Sequence, residues 1–68
     1  MLKSSLVPRY RVTVGSNPAD VFEMEVRLRE DGPVARGHAA AAGKQFAEDR
    51  GLGDVSIRVE LIGERLAS

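Results

Sequence analysis

Hydrophobic and polar residues alternate strictly in three short stretches of the chain. In residues 9–14, RYRVTV, the tyrosine and both valines fall on one face, and the arginines and the threonine fall on the other. Residues 21–29, VFEMEVRLR, and residues 55–62, VSIRVELI, alternate in the same way. A period of two is typical of a β-strand with one buried face. The pattern therefore predicts three strands, each with one apolar face.

Between the second and third predicted strands lies a segment with the period of a helix. Asp31 or Gly32 is suited to cap it, and Pro33 is suited to its first turn, where a missing N–H costs nothing. The helix is expected to run to about residue 50, because RGLGD at 50–54 places a glycine and then a leucine where helices commonly end. At 100° per residue, its predicted buried stripe is Ala35, Ala39, Ala42 and Phe46. Such small side chains allow a helix to lie close to a sheet.

These elements predict a small two-layer α+β sandwich of ββαβ order, with one helix packed on a three-stranded sheet. Residues 15–20, GSNPAD, are typical of a hairpin loop and would place Arg11 near Glu25. A right-handed crossover from the second strand through the helix can place the third strand beside the first and antiparallel to it. We prefer this order, 2-1-3, to 1-2-3, in which the third strand would pair in parallel with the second. We predict a single domain over residues 1–68, with residues 1–8 as a flexible N-terminal arm.

The size and composition of the chain favour self-association. A domain of 68 residues buries only about 60% of the surface of its unfolded chain, and without cysteine it has neither a disulfide nor a thiolate metal site to stabilise it. Oligomerisation is one remaining means of stabilisation, so we expect a homodimer. The third strand is the predicted contact, because it has a clean apolar face, an exposed edge and an additional outward apolar residue, Ile62.

Charge and hydropathy restrict the remaining function classes. Ten basic and ten acidic side chains give no net charge, so no global field attracts nucleic acid or an anionic membrane. No apolar run approaches the ~20 residues of a membrane span, and the expected location is the cytoplasm. Eight arginines against two lysines indicate a GC-rich genome, which is consistent with a phage or mobile-element origin.

The stretch RGHAAAAGKQ, residues 36–45, resembles a phosphate-binding loop but lacks its chemistry. Five residues separate Gly37 from Gly43 where the motif has four, and Gln45 stands where a serine or threonine would hold Mg²⁺. The only histidine, His38, has no predicted orienting partner or cleft of the kind that a general base needs. We therefore expect no enzymatic activity, no metal and no cofactor.

The polar face of the predicted sheet is the remaining candidate for binding. All three aromatic residues are predicted to point inward, which argues against stacking of RNA bases on the sheet. The face instead carries arginines interleaved with glutamates, and a solvated face with weak ion pairs is the simpler interpretation. The more specific interpretation is that arginines at one corner of the sheet bind phosphate or an acidic protein surface. The candidate interaction residues are Arg9, Arg11, Arg27, Arg29 and Arg58.

From the sequence we expect a non-enzymatic protein-binding module, such as an adaptor, inhibitor or accessory factor, acting through its sheet face or an edge strand. The alternative is a nucleic-acid-binding accessory protein that uses the arginine cluster. Neither expectation identifies a partner, because small folds of this type serve many unrelated functions.

Overall fold

The computed structural model describes residues 5–27 and 30–67 and confirms the two-layer α+β sandwich. All strand pairs are antiparallel, and the sheet order is the preferred 2-1-3, with the first strand in the centre. In this part of the chain, no helix combines the length and the apolar character that crossing a membrane requires. The elements are β1 (Ser5–Val14), β2 (Val21–Glu25), α1 (Pro33–Asp49) and β3 (Ile57–Ala67).

The first strand is longer than its alternation indicates. β1 begins at Ser5, so the expected arm over residues 1–8 is wrong for residues 5–8, whereas residues 1–4 lie outside the described residues. Pro8 hides this extension in the sequence, because proline is rare in a central strand. Its carbonyl oxygen accepts the N–H of Val26 (3.1 Å), just past the end of β2. The ring nitrogen faces the same side, so the hydrogen bond that proline cannot donate is the one towards residue 26, beyond the end of β2.

The third strand is displaced and contains a β-bulge at Ile62. Tyr10 pairs with Leu61, but the neighbouring Arg9 pairs with Gly63, so Ile62 is an extra residue without an opposite partner on β1. This explains why Ile62 interrupts the alternation of the sequence. The bulge inverts the alternation and lets the strand continue to Ala67, five residues beyond the expected end at residue 62.

The hairpin register differs from the expected one. The Val14 N–H donates to the carbonyl oxygen of Asp20 (2.9 Å), so pairing starts inside the segment expected to be the loop. Arg11 consequently lies opposite Glu23 rather than near Glu25. β2 also ends at Glu25, short of residue 29, and residues 28 and 29 of the expected strand lie outside the described residues.

The end of the helix confirms the sequence signal. Gly51 has φ of +66°, a left-handed conformation that glycine adopts without the steric penalty of a side chain. Its N–H donates to Glu48 and the Leu52 N–H donates to Ala47, which is the paired hydrogen bonding of a Schellman motif. At the other end, Gly32 is the N-cap and Pro33 opens the helix, with no side-chain cap.

The helix packs through its smallest residues. Its buried positions are spaced by four and include Gly43, whereas the expected stripe contained Ala42 and Phe46, both of which are only half-buried. A Cβ atom at Gly43 would lie 2.7 Å from Cγ2 of Ile57 and 2.8 Å from Cγ1 of Val12, so the helix touches the sheet at this point. The buried core consists of Tyr10, Val12, Val14, Val26, Ala35, Ala39 and Ala47.

Candidate binding surface

The outer edge of β3 presents backbone groups that no described strand pairs with. The Gly15 N–H donates to the carbonyl oxygen of Ser56 (2.7 Å), so the backbone of Ser56 faces β1. Since backbone groups alternate in direction along a strand, those of Arg58 and Glu60 also face β1. Three residues of β3 therefore direct their N–H and C=O groups towards the free edge: Ile57, Val59 and Leu61.

The apolar face of β3 is incompletely covered by the helix. Val12 and Val14 in the central strand are fully buried, whereas Ile57 and Val59 in β3 are only half-buried. Leu61 is 36% exposed. The same three residues that direct their backbone groups to the edge thus also retain exposed apolar side-chain surface.

An open hollow of about 680 Å³ lies where the end of the helix meets the start of β3. Its apolar lining comes mainly from Ile57, Val55 and Ala47, and its charged lining from Lys44, Glu48 and Asp54. Pockets that bind side chains or small ligands are typically concave and apolar with a few polar groups. The hollow can therefore receive an apolar side chain from a segment that lies along β3.

The sheet narrows to two strands at its other end. β2 pairs only with residues 9–13 of β1, and residues 5–7 pair with β3 alone. In this ribbon Leu6 lies opposite Leu66, and the two side chains are 43% and 65% exposed. The ribbon contributes to the elongated form of the described chain, whose principal extents are 47 × 18 × 17 Å.

The outer face of the sheet brings the candidate arginines to two glutamates. Arg9 lies 3.1 Å from Glu23 and 3.8 Å from Glu25, and Arg11 lies 3.8 Å from Glu23. Arg27 lies 3.9 Å from Glu25 and is the most exposed of the three arginines. Of the other two candidates, Arg58 lies on β3 opposite Thr13, and Arg29 is not among the described residues.

A further arginine joins this cluster that the sequence analysis did not single out. Arg65 donates from Nε and Nη2 to the two carboxylate oxygens of Glu25, at 2.7 and 2.9 Å. Such a two-pronged pair is among the stronger ion-pair geometries. The signal that would have revealed Arg65 is the bulge, because only an inverted alternation after Ile62 puts residue 65 on the outer face.

A second polar network ties the start of the helix to the sheet. The Tyr10 hydroxyl donates to Oδ1 of Asp31 (2.8 Å), and the Arg36 guanidinium donates to both oxygens of the same carboxylate, at 2.9 and 3.3 Å. Burial and the Asp31 carboxylate together raise the pKa of Tyr10 to about 12. Asp31 thus binds the central strand and the helix at once, which explains why it does not cap the helix.

Both carboxylates at these junctions have lowered pKa values. Hydrogen bonds from Arg65 lower the pKa of Glu25 below its ordinary value of 4.5. Hydrogen bonds from Arg36 and Tyr10 lower the pKa of Asp31 below its ordinary value of 3.8. In each case the folded state favours the charged carboxylate, because its hydrogen-bond donors are already in place.

We expect these two carboxylates to make the fold acid-sensitive. Their pKa values are lower in the folded than in the unfolded chain, so their stabilisation is complete above about pH 4.5 and is lost as the pH falls through the lowered values. Urea unfolding between about pH 6 and pH 2 should show this loss, and Glu25→Gln or Asp31→Asn should reduce it. Glu48→Gln is the control, because Glu48 is exposed on the helix. An equal reduction in the control would contradict the assignment.

His38 lies on the exposed side of the helix, beside a shallow hollow that includes Met24 and Val26. Within residues 5–27 and 30–67, no three acidic or histidine side chains come together in a way that could hold a metal ion. Comparisons of the chain with protein-family models, with curated proteins and with solved structures found no match.

Proposed function

We propose that this chain is a non-enzymatic protein-binding module whose binding surface is the free edge of β3 together with the hollow beside it. The observation that carries the proposal is that Ile57, Val59 and Leu61 combine outward backbone groups with exposed apolar side-chain surface. An extended segment that adds to such an edge gains affinity from backbone hydrogen bonds. The hollow would supply specificity by receiving one of its apolar side chains.

The composition of this edge supports the proposal. Proteins commonly block exposed edges with proline, lysine, inward charges or a bulge, since an open edge invites pairing with other chains. Residues 57–61, IRVEL, contain neither proline nor lysine, and their inward residues are all apolar. The bulge comes only afterwards, at Ile62. Ile62 itself would then mark the end of the pairing segment rather than its centre.

The partner of this surface is a polypeptide with an extended segment. A strand of another protein meets the requirement, as an adaptor, inhibitor or accessory factor would need, and so does a strand of a second copy in a homodimer. The cytoplasmic location, the phage or mobile-element origin and the lack of enzymatic activity stay predictions from the sequence.

A second candidate function is nucleic-acid binding, which an excess of positive charge on the outer face of the sheet favours. Four guanidinium groups, those of Arg9, Arg11, Arg27 and Arg65, surround the two carboxylates of Glu23 and Glu25. Each of these guanidinium groups already lies within 3.9 Å of a carboxylate, which weakens the candidate relative to the open edge. Its signature would be salt-dependent binding of DNA or RNA that Arg27→Ala weakens and that changes in β3 do not.

Selection of peptides tests the β3 edge directly. Phage-displayed random peptides are selected on the immobilised chain and on two variants, Leu61→Lys at the edge and Val34→Lys on the exposed start of the helix. Each variant replaces one exposed aliphatic residue with a lysine, since Leu61 and Val34 are 36% and 54% exposed. We expect peptides with alternating apolar residues, bound about tenfold or more weakly by Leu61→Lys and normally by Val34→Lys.

Hydrogen exchange locates the binding site of a selected peptide. The amides of Ile57, Val59 and Leu61 should become protected when it binds, because their N–H groups point to the free edge. Failure to select any peptide on a chain that is monomeric in solution would contradict the proposed function, because its β3 edge is then unoccupied. Peptides that bind both lysine variants equally, or that protect amides elsewhere, would also contradict it.

A further inference from the structure

The two charged residues of β3 that precede the bulge at Ile62 have no ion-pair partner among the described residues. Arg9, Arg11, Glu23 and Glu25 form ion pairs across β1 and β2. In contrast, Arg58 and Glu60 are exposed on the same outer face and take part in no ion pair with another described residue. They flank Val59, one of the residues whose backbone faces the free edge. The unpaired charges and the unpaired backbone groups thus lie in the same five residues.

This segment is complementary to itself when two copies run antiparallel. If Val59 lies opposite Val59 of a second copy, each Arg58 lies opposite a Glu60, and each Ile57 lies opposite a Leu61. Opposite charges on facing residues stabilise an antiparallel pair, and like charges destabilise it. A shift of the register by two residues in either direction sets Glu60 opposite Glu60 or Arg58 opposite Arg58. The charges therefore select the Val59-centred register over its neighbours.

The backbone directions agree with this register. Val59, Ile57 and Leu61 all direct their backbone groups to the edge, so each facing pair among them can exchange two hydrogen bonds. Arg58 and Glu60 would form the intervening pairs, in which the chains approach more closely and side chains interact best. Charge and backbone geometry thus independently favour the same alignment.

The exposed apolar side chains of β3 also fit the Val59-centred register. A two-fold axis perpendicular to the sheet keeps both helices on one face and makes a continuous six-stranded sheet. Leu61 of each copy would then lie against Ile57 of the other, beside the hollow that Ile57 lines. Each copy supplies one exposed leucine and one open hollow, as a symmetric interface requires.

We propose that the strand that occupies the β3 edge is β3 of a second copy, paired antiparallel about Val59. This inference rests on the proposed function and names the partner of the same surface. A dimer also supplies the additional burial that a 68-residue domain without disulfides needs.

Two single charge reversals and their mixture test the register. In Arg58→Glu, both members of each facing pair are acidic, and in Glu60→Arg both are basic, so each variant should dimerise about tenfold or more weakly than the wild type. Mixed together, the two variants regain both opposite-charge pairs and should form a heterodimer. Native mass spectrometry distinguishes the heterodimer by mass, and sedimentation equilibrium gives its dissociation constant. Circular dichroism checks that each monomer is folded, which matters because residue 60 faces Arg11 within the chain.

The outcomes separate this inference from the proposed function. A wild type that stays monomeric at millimolar concentration overturns the homodimer, whereas peptide binding sensitive to Leu61→Lys would still support the edge as a binding surface. A dimer that neither charge reversal weakens overturns the register. If Leu61→Lys also leaves that dimer unchanged, the chain associates through another surface. Dimerisation that is weakened in each variant alone and restored when the two are mixed supports the Val59-centred dimer.

Discussion

Replacing Gly43 with leucine is expected to prevent the chain from folding. Even the Cβ of an alanine would lie within 3 Å of both Ile57 and Val12, two β-branched side chains with little freedom to move aside. Overpacking of a core costs about 1–3 kcal/mol for a few added atoms, and leucine adds three more carbons than alanine. A domain of this size has a total stability of about 3–10 kcal/mol, so the leucine variant should lose cooperative unfolding by circular dichroism.

Gly37 provides a matched control for Gly43. Both glycines lie inside α1, so alanine gains about 1 kcal/mol of helix propensity at either position. A Cβ at Gly37 has no neighbour within 4 Å, and Gly37→Ala should therefore raise the free energy of unfolding. Gly43→Ala should lie about 1–3 kcal/mol below Gly37→Ala in urea denaturation. Equal values for the two variants would show that the helix does not approach the sheet at Gly43.

Removal of the Tyr10 side chain should have the second largest effect. Tyr10 is fully buried in the central strand, and truncation of a buried aromatic residue to alanine costs about 3–5 kcal/mol. Tyr10→Ala should therefore leave much of the chain unfolded at 25 °C. Tyr10→Phe retains the ring and loses only the hydrogen bond to Asp31, so it should cost about 1–3 kcal/mol. Leu6→Ala, on the exposed ribbon of the same strand, should change stability by less than about 0.5 kcal/mol.

The hydroxyl of Tyr10 has an independent signature at alkaline pH. Its folded pKa of about 12 exceeds the ordinary value of 10.0, so the unfolded chain releases this proton first. Stability should therefore fall between pH 10 and pH 12, by at most about 1.4 kcal/mol per pH unit. Tyr10 is the only tyrosine in the chain, and the difference between the wild type and Tyr10→Phe isolates this slope. Parallel pH curves would contradict the raised pKa of Tyr10, and a Tyr10→Phe variant as stable as the wild type would contradict the hydrogen bond to Asp31.

The periodic patterns of apolar residues predict the fold class correctly, but they do not predict which residues of neighbouring strands face each other. Alternation identifies which residues of a strand share a face, and Tyr10, Val12 and Val14 are buried as it predicts. Register depends instead on hydrogen bonds in the loop, such as that between Val14 and Asp20, which no periodic pattern encodes. For this reason the facing partner of Arg11 was predicted incorrectly.

The candidate surface was only partly predictable for the same reason. An exposed third strand follows from the sequence, because both strand orders that the sequence allows, 2-1-3 and 1-2-3, place it at an edge of the sheet. The pairing of β3 with β1 decides which residues of β3 direct their backbone groups outward. The position of the helix on the sheet leaves Ile57 incompletely covered. Arg65 reaches Glu25 only because the bulge at Ile62 inverts the faces of the strand.

The sequence by itself determined the order of the elements, their apolar faces and the glycine end of the helix, because each depends on residues within a few positions of one another. Only the tertiary structure decided the register of the hairpin, the length of β1 and the bulge in β3. It also decided the contact at Gly43, because the position of a helix on a sheet is set by how closely distant side chains can approach. The edge around Val59 depends on both levels. Its alternation of apolar and charged residues is encoded in the local sequence, whereas its exposure arises only in the folded sheet.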